Sequence, residues 1–356
     1  MKITSLHVQP LDLELQTALT VAYGSYPVLE YALLKIETDT GLVGLGEASP
    51  DPEVTGETQK SVMDALHETE SFLPGTDPFD IETAVRQCSL AFPHAPAAAA
   101  AVDMALYDLM GKALGVPVFQ LLGGRSRSEV SLYPVIPMES AESMAEMSAM
   151  FTSMGASILK VKLGSSPEED LARLEAIHHA VGDGVQLRLD INQGWQDAKT
   201  AIEVIGEAGR FNIEWVEQPV AAGDLEGMAA VTDAVSVPIM ADESCHTAKD
   251  VFRIAAKKAA DLINIKLMKC GGIRQAGKML AAAEAAGLPC ILGSMGESSI
   301  GSAAGLHFMT ANPGILACEL LGPLFIRNDP AEGFPADKET LHAAASDRPG
   351  LGVTLR

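Results

Sequence analysis

The sequence predicts an α/β protein in which an α+β domain precedes a parallel (β/α) barrel. Three observations carry this. Strand-like segments come first and helical segments follow over about residues 1–125. From about residue 130, eight short apolar strands alternate with Ala-rich helical segments. No glycine-rich phosphate loop follows the first of those strands, which disfavours the rival, an open doubly wound sheet.

In chain order, MKITSLHV alternates as a strand does, YALLKIETD is a second strand, and GLVGLGEA follows a turn at Thr40-Gly41. Residues 57–72, 79–90 and 98–114 have helical spacing of apolar positions. The last of these stops at Gly115, with Pro117 just beyond. The eight barrel strands are expected at 130–136, 158–164, 185–192, 212–219, 237–243, 262–268, 289–295 and 315–321. The tail, 326–356, is polar, rich in Pro and Gly, and is expected to pack back on the N-terminal part.

Apolar residues make up 47% of the 356, enough for a sizeable core. The formal net charge of −22 argues against a nucleic-acid partner, since phosphate binding needs clustered Lys and Arg. Any anionic ligand must therefore be held by local positive charge. No uninterrupted apolar run of about 18 residues predicts a membrane span. The start reads as a strand rather than a signal peptide. Five widely spaced cysteines, an odd number, form no disulfide or zinc pattern and point to a reducing cytoplasm.

The polar residues inside the strands carry the chemistry. In ILKVKLG, Lys160 and Lys162 share one face because strand side chains alternate with period two. Asp190 follows in LRLDIN, then Glu217 in IEWVEQP, Asp242 in PIMADES and Lys266 in NIKLM. The steps from Lys162 through these positions are 28, 27, 25 and 24 residues, each about one strand–loop–helix unit. Each charge falls at the C-terminal end of its strand, where a (β/α) barrel gathers its active site. Three carboxylates from consecutive strands make an all-oxygen site suited to Mg²⁺, with Mn²⁺ as the alternative. Such an ion beside a small-molecule carboxylate would stabilise the dianion formed when the neighbouring carbon loses its proton. Lys162 and Lys266 come from the second and sixth strands, roughly opposite. One can remove a proton from one face while the other returns it to the opposite face. Burial and the adjacent Lys160 are expected to lower the pKa of the base.

These motifs resemble the enolase superfamily in its muconate-lactonizing subgroup. The resemblance runs from MKI through GLGEA, FQLLGGR, LKVKLG, LDINQGW, VEQPV, ADES, NIKLMKCGG and GSMGESS to ELLGPL and PGLG. It implies a modified (β/α)7β barrel over residues 126–325. It further implies a capping domain, 1–125, completed by 326–356. Asp190, Glu217 and Asp242 are implied as metal ligands and Lys162 and Lys266 as the acid/base pair. Lys160 would hold the substrate carboxylate and tune Lys162.

The stretches TVAYGSYPV (20–28) and SPDPEVTGET (49–58) look like the capping loops of N-succinylamino acid racemases and dipeptide epimerases. Dipeptide epimerases usually carry Asp-x-Asp on the eighth strand to bind a free amino group. Here that place reads Cys318-Glu319-Leu320-Leu321. The expected substrate is therefore an N-acylated amino acid, N-succinyl first, with Arg or Lys derivatives and dipeptides also considered. Asp51, Glu53 and Glu297 are candidates for its side-chain end, Tyr23 and Tyr26 for its lid, and Glu319 for the pocket. The alternative is a muconate-type cycloisomerase on the same scaffold. A homo-oligomer stays open as a partner.

Overall fold

The computed structural model describes residues 1–356. Three antiparallel strands open the chain: β1 (Ile3–Val21), β2 (Gly24–Thr38) and β3 (Val43–Ala48), in that spatial order. Helices α1 (Gln59–Glu68), α2 (Ile81–Ala91), α3 (Pro96–Leu114) and α4 (Val118–Leu121) follow. Thr58 starts α1 as a reciprocal cap with Ser61. Helix α3 begins at Pro96 and ends on Gly115 in the left-handed region, φ 69°. It lies directly on β3: a Cβ at Gly46 would sit 1.9 Å from the carbonyl oxygen of Ala101. Only glycine permits that approach.

The chain then forms a ring of eight parallel strands. These are β5 (Val135–Ile136), β6 (Ile158–Lys162), β7 (Gln186–Asp190), β8 (Ile213–Glu217), β9 (Ile239–Ala241), β10 (Leu262–Ile265), β11 (Cys290–Leu292) and β12 (Ile315–Cys318). A bridge between Leu132, just before β5, and Cys318 closes it. Between the strands run α5 (Ala141–Ser153), α6 (Pro167–Val181), α7 (Ala198–Ala208), α8 (Leu225–Ala234), α9 (Ala248–Lys257), α10 (Leu267–Cys270) with α11 (Ile273–Ala286), and α12 (Ser299–Ala311). Eight strands with seven intervening helical layers make this a modified (β/α)7β barrel under an α+β cap. Ser140, Ser166, Asp197, Asp224 and Thr247 each accept a backbone N–H at the start of α5 to α9, so each helix begins where its sequence carries a good cap.

Several strand boundaries depart from expectation. Strand β1 runs on to Val21 and β2 begins at Gly24, well beyond the segments read as strand, and most barrel strands are shorter than read. Two of the differences have a plain local cause. The expected first barrel strand, 130–136, splits into β4 (Val130–Ser131) and β5. Pro134 lies between them, has no N–H for a ladder, and releases β4 to pair elsewhere. The expected sixth strand, 262–268, stops at Ile265, and α10 starts at Leu267.

The tail holds a short helix, α13 (Gly322–Phe325), and four short strands, β13 (Ala331–Glu332), β14 (Ala336–Asp337), β15 (His342–Ala343) and β16 (Thr354–Leu355). Arg327 N donates to Glu14 O at 2.8 Å, and Val118 N to Gly350 O at 3.0 Å. Strand β15 instead pairs with β4. No helix is long and apolar enough to cross a membrane.

Candidate active site

Lys160, Lys162, Asp190, Glu217, Asp242 and Lys266 all reach one end of the ring, and all are buried. The register explains why. Lys162 pairs with Asp190 across β6–β7, and Asp190 pairs with Glu217 across β7–β8, so three charges form one layer. Glu217 pairs with Met240, which places Asp242 two residues further along the next strand, on the same face.

Backbone in the left-handed region clusters here. Asn192, Gln193 and Gln218 have φ of 44°, 70° and 40°, uncommon for residues with side chains. Gln218 is held there by four bonds. Its Oε1 accepts from Asp242 N at 3.0 Å and Ser244 N at 3.1 Å, and its Nε2 donates to Val220 O and Ser244 Oγ. It thereby clamps the end of β8 to the loop that carries Asp242.

Each carboxylate of the layer has one oxygen anchored and one turned to a lysine of the site. Asp190 Oδ1 accepts from Asn192 N at 3.1 Å, while Oδ2 meets Lys160 Nζ at 2.8 Å and Lys162 Nζ at 2.7 Å. Glu217 Oε1 accepts from Asn264 Nδ2 at 2.8 Å, and Oε2 meets Lys160 Nζ at 2.8 Å. Asp242 Oδ1 meets Lys269 Nζ at 2.5 Å, and Oδ2 meets Lys266 Nζ at 2.7 Å. Lys162 also donates to Asn192 Oδ1 at 3.0 Å, and Asn192 Nδ2 donates to Glu243 Oε1 at 3.0 Å.

The electrostatics follow from this packing. Burial works against the charge on Asp190, but the Lys160 and Lys162 ammoniums bring its pKa down to about 2. Asp242 is held well below the usual carboxylate range by Lys266 and Lys269, again against burial. Glu217 is driven well up by burial and by the negative charge of Asp190. Glu243 rises to about 7 from burial and the neighbouring Asp242 and Asp190. The expected lowering of a lysine does not govern Lys160 or Lys266. Burial does oppose their charge, but the carboxylates around them outweigh it and hold both ammoniums above the ordinary lysine value.

The residues fit a hard dication. Asp190 and Glu217 each turn one oxygen to a lysine of the site and Asp242 turns both of its oxygens to lysines, which is an all-oxygen donor set. Glu243 Oε2 is buried without a hydrogen-bond partner beside them. No three acids are grouped closely enough in this structure to enclose an ion, and the Lys160 ammonium lies between Asp190 and Glu217. Those oxygens are thus already organised around positive charge.

A cavity of about 510 Å³ opens onto this end of the ring and is lined by Lys160, Lys162, Lys266 and Asn192. Tyr23, Tyr26 and Asp51 line its outer side, as does Glu319 nearer the lysines. The Tyr23 and Tyr26 rings meet edge to face at 6.3 Å, and Tyr23 Oη lies 3.5 Å from Asp51 Oδ2. Glu319 Oε1 accepts from Lys160 Nζ at 2.7 Å, so that acid serves the lysine. Glu297 does not line the cavity. Its carboxylate turns back on its own loop, bonded to Ser294 Oγ and Met295 N. Glu53 is exposed and also lies off the wall.

Two residues escaped the sequence reading. Asn264 sits two before Lys266, so period two already placed it on the inward face. Lys269 is fully buried and donates to Asp242 Oδ1, Asp242 O and Asn264 O. The signal for it was helical spacing, i to i+3 from Lys266, which ran across the end of a segment read as strand to residue 268.

Residues 4–123 match the family model for the mandelate racemase / muconate lactonizing enzyme N-terminal domain, and 142–356 match the model described as enolase C-terminal domain-like. The N-succinyl-L-Arg/Lys racemase of Bacillus cereus is 37% identical over 100% of this chain and 96% of its own. Its crystal structure superposes with a TM-score of 0.97. The Enterococcus faecalis dipeptide epimerase, crystallised with Mg and the dipeptide L-Leu-L-Tyr, is 37% identical, covers 99% of this chain and 100% of its own, and has a TM-score of 0.95. The chloromuconate cycloisomerase of Cupriavidus pinatubonensis is 30% identical over 100% of this chain and 96% of its own.

Proposed function

Because the chain belongs to the mandelate racemase / muconate lactonizing enzyme family of the enolase superfamily, and is an isomerase of the racemase and epimerase kind, we propose that it inverts the α-carbon of an N-acylated amino acid or a dipeptide by 1,1-proton transfer. One observation carries this reading. Lys162 ends β6 and Lys266 follows β10, strands that stand four places apart in a ring of eight and so face each other across it.

Asp190, Glu217 and Asp242 would hold Mg²⁺, with Mn²⁺ suited to the same oxygens. When bound, the ion supplies positive charge beside the substrate carboxylate, where negative charge grows as the proton leaves. Lys160 Nζ lies at the foot of the cavity and pairs with the carboxylate of the substrate. Lys162, as the free amine, takes the α-proton of one enantiomer. The electron pair left on carbon spreads into the carboxylate as an enediolate. Lys266, as the ammonium, then gives its proton to the opposite face, and the two exchange roles for the other enantiomer. Asn192 fixes the Lys162 amine by accepting one of its hydrogens, as Glu243 fixes Asn192. In this reading residues 1–125 with 326–356 form the lid over the catalytic unit, 126–325.

Incubation with N-acyl amino acids and dipeptides in D₂O, followed by NMR and chiral chromatography, tests it. Each enantiomer should convert to the other with deuterium at the α-carbon, and Lys162→Ala and Lys266→Ala should each stop the conversion while remaining folded. Conversion persisting in both variants defeats the assignment. Lactonisation of a muconate with no α-exchange on any N-acyl compound replaces it with the cycloisomerase reading.

A further inference from the structure

We propose that this site selects α-carboxylates that carry no second negative charge, and that Asp51, set beside Tyr23 and Tyr26, enforces the selection. The inference rests on the proton-transfer reading above and narrows its substrate class. N-acetyl, aminoacyl and other neutral or cationic N-substituents fit, and an N-succinyl group does not.

The cations of the cavity wall decide it. Lys160, Lys162 and Lys266 are the only lysines lining it, and no arginine does. All three lie at the reacting end, and each already meets at least one buried carboxylate. The reacting carboxylate of the substrate takes its place among them. A second carboxylate, several bonds away on an acyl group, must lie further out, where the wall offers no cation at all.

The outer wall instead carries acids. Asp51 Oδ1 accepts from Glu53 N at 2.8 Å and Val54 N at 3.1 Å, which fixes the side chain in its turn. Its other oxygen meets only the Tyr23 hydroxyl, at 3.5 Å, and keeps acceptor capacity toward the cavity. Burial and the Asp51 charge keep the Tyr23 phenol protonated. Glu30 adds an exposed acid to the wall and Glu57 a buried one.

Several neutral donors on the wall are engaged inside the protein, and those that remain, the Thr17 and Tyr26 hydroxyls among them, carry no charge to offset a carboxylate. Gln59 Nε2 donates to both Asp12 Oδ1 and Tyr31 O, Gln16 Nε2 donates to Leu324 O, and Ser294 Oγ is taken by Glu297. Long-range attraction does not compensate, since the chain is strongly acidic. An unpaired carboxylate beside Asp51 thus meets like charge with no counterion, the repulsive half of specificity. A neutral group meets apolar wall, and an ammonium meets Asp51 beside the Tyr23 and Tyr26 rings.

Matched substrates separate charge from shape. An N-succinyl amino acid and its terminal amide, the N-succinamoyl compound, differ in little but the second carboxylate. α-Proton exchange in D₂O should show kcat/KM for the amide at least about tenfold above that for the acid at low ionic strength, with the gap closing in about 0.5 M salt. Asp51→Asn keeps the oxygen that holds the turn, and should shrink the gap. Asp51→Lys should reverse it. Circular dichroism checks that both variants are folded. Equal or faster turnover of the N-succinyl acid by the unaltered protein overturns the inference and leaves the proton-transfer reading intact. Exchange of none of the compounds removes that reading and this inference with it.

Discussion

Lys269 offers the sharpest test of how the site is held. It has no solvent contact, and its three ammonium hydrogens have three acceptors: Asp242 Oδ1 and Asp242 O, both at 2.5 Å, and Asn264 O at 3.0 Å. Lys269→Met keeps most of the stem's volume and removes only the charge. Three groups then lose a partner. Asp242 keeps Lys266 and is not left alone, so the charge loss falls near the lower end of the roughly 3–5 kcal/mol typical of a broken buried pair. The two carbonyls add about 1 kcal/mol each. A loss of about 5 kcal/mol is a large share of the roughly 5–15 kcal/mol that holds a protein folded. Urea titration by circular dichroism should show the midpoint fall at constant slope. Titration with Mn²⁺ by electron paramagnetic resonance should show roughly 10- to 100-fold weaker binding, since Asp242 is no longer fixed. A loss below about 1 kcal/mol, with unchanged Mn²⁺ affinity, refutes the claim that Lys269 orients Asp242.

Asp103 accepts from Ile273 N and Arg274 N at the start of α11, so Asp103→Ala should cost about 1–2 kcal/mol in denaturant titration. Gly46→Ala would push a Cβ into the Ala101 carbonyl, and should lower stability by about 1–3 kcal/mol or more, read as a fall in melting temperature. His307 is buried with Nδ1 accepting from Phe119 N and Nε2 facing Leu351 O, and burial lowers its pKa to about 4. Its contribution is therefore present above pH 6.5 and is lost toward pH 4, at about 1.4 kcal/mol per pH unit. His307→Gln should flatten that part of the stability–pH curve.

The charged layer was legible because it obeys two simple rules. Period-two alternation put Lys160 and Lys162 on one face, and the barrel's habit of gathering function at strand ends put Asp190, Glu217 and Asp242 together. What escaped depends on backbone that leaves those rules. Lys269 enters only because the strand ends early and one helical turn brings it back under Asp242. Glu297 looked like a pocket residue from its position after β11, but a tight turn with positive φ at Gly296 folds its carboxylate onto Ser294. The split at Pro134 was written in the sequence as a missing N–H. Where the freed β4 would pair was not, because its partner β15 lies more than 200 residues away in a segment without periodicity.

The selectivity of such a site depends on how firmly the cap is fixed, because Tyr23 and Asp51 belong to the cap and the lysines to the barrel. Two buried acids, Glu47 and Asp103, fix the cap to the barrel, and a third, Asp108, fixes the parts of the cap to one another. Glu47 at the end of β3 accepts from Ser298 N at 3.0 Å and Gly301 N at 3.2 Å, at the start of α12. Asp103 in α3 caps α11. Asp108, one helical turn on, accepts from Leu45 N and Leu351 N, both at 2.9 Å, and so ties β3 and the tail to the same helix. A carboxylate at a helix N-terminus satisfies orphan N–H groups and meets the positive end of the helix dipole. Apolar contact alone would let the cap slide, whereas these bonds hold in one register. The charge corner around Asp51 is therefore set over the lysines by the same helices, α11 and α12, that carry the barrel wall behind Lys266. A substrate's two ends are measured against one rigid frame.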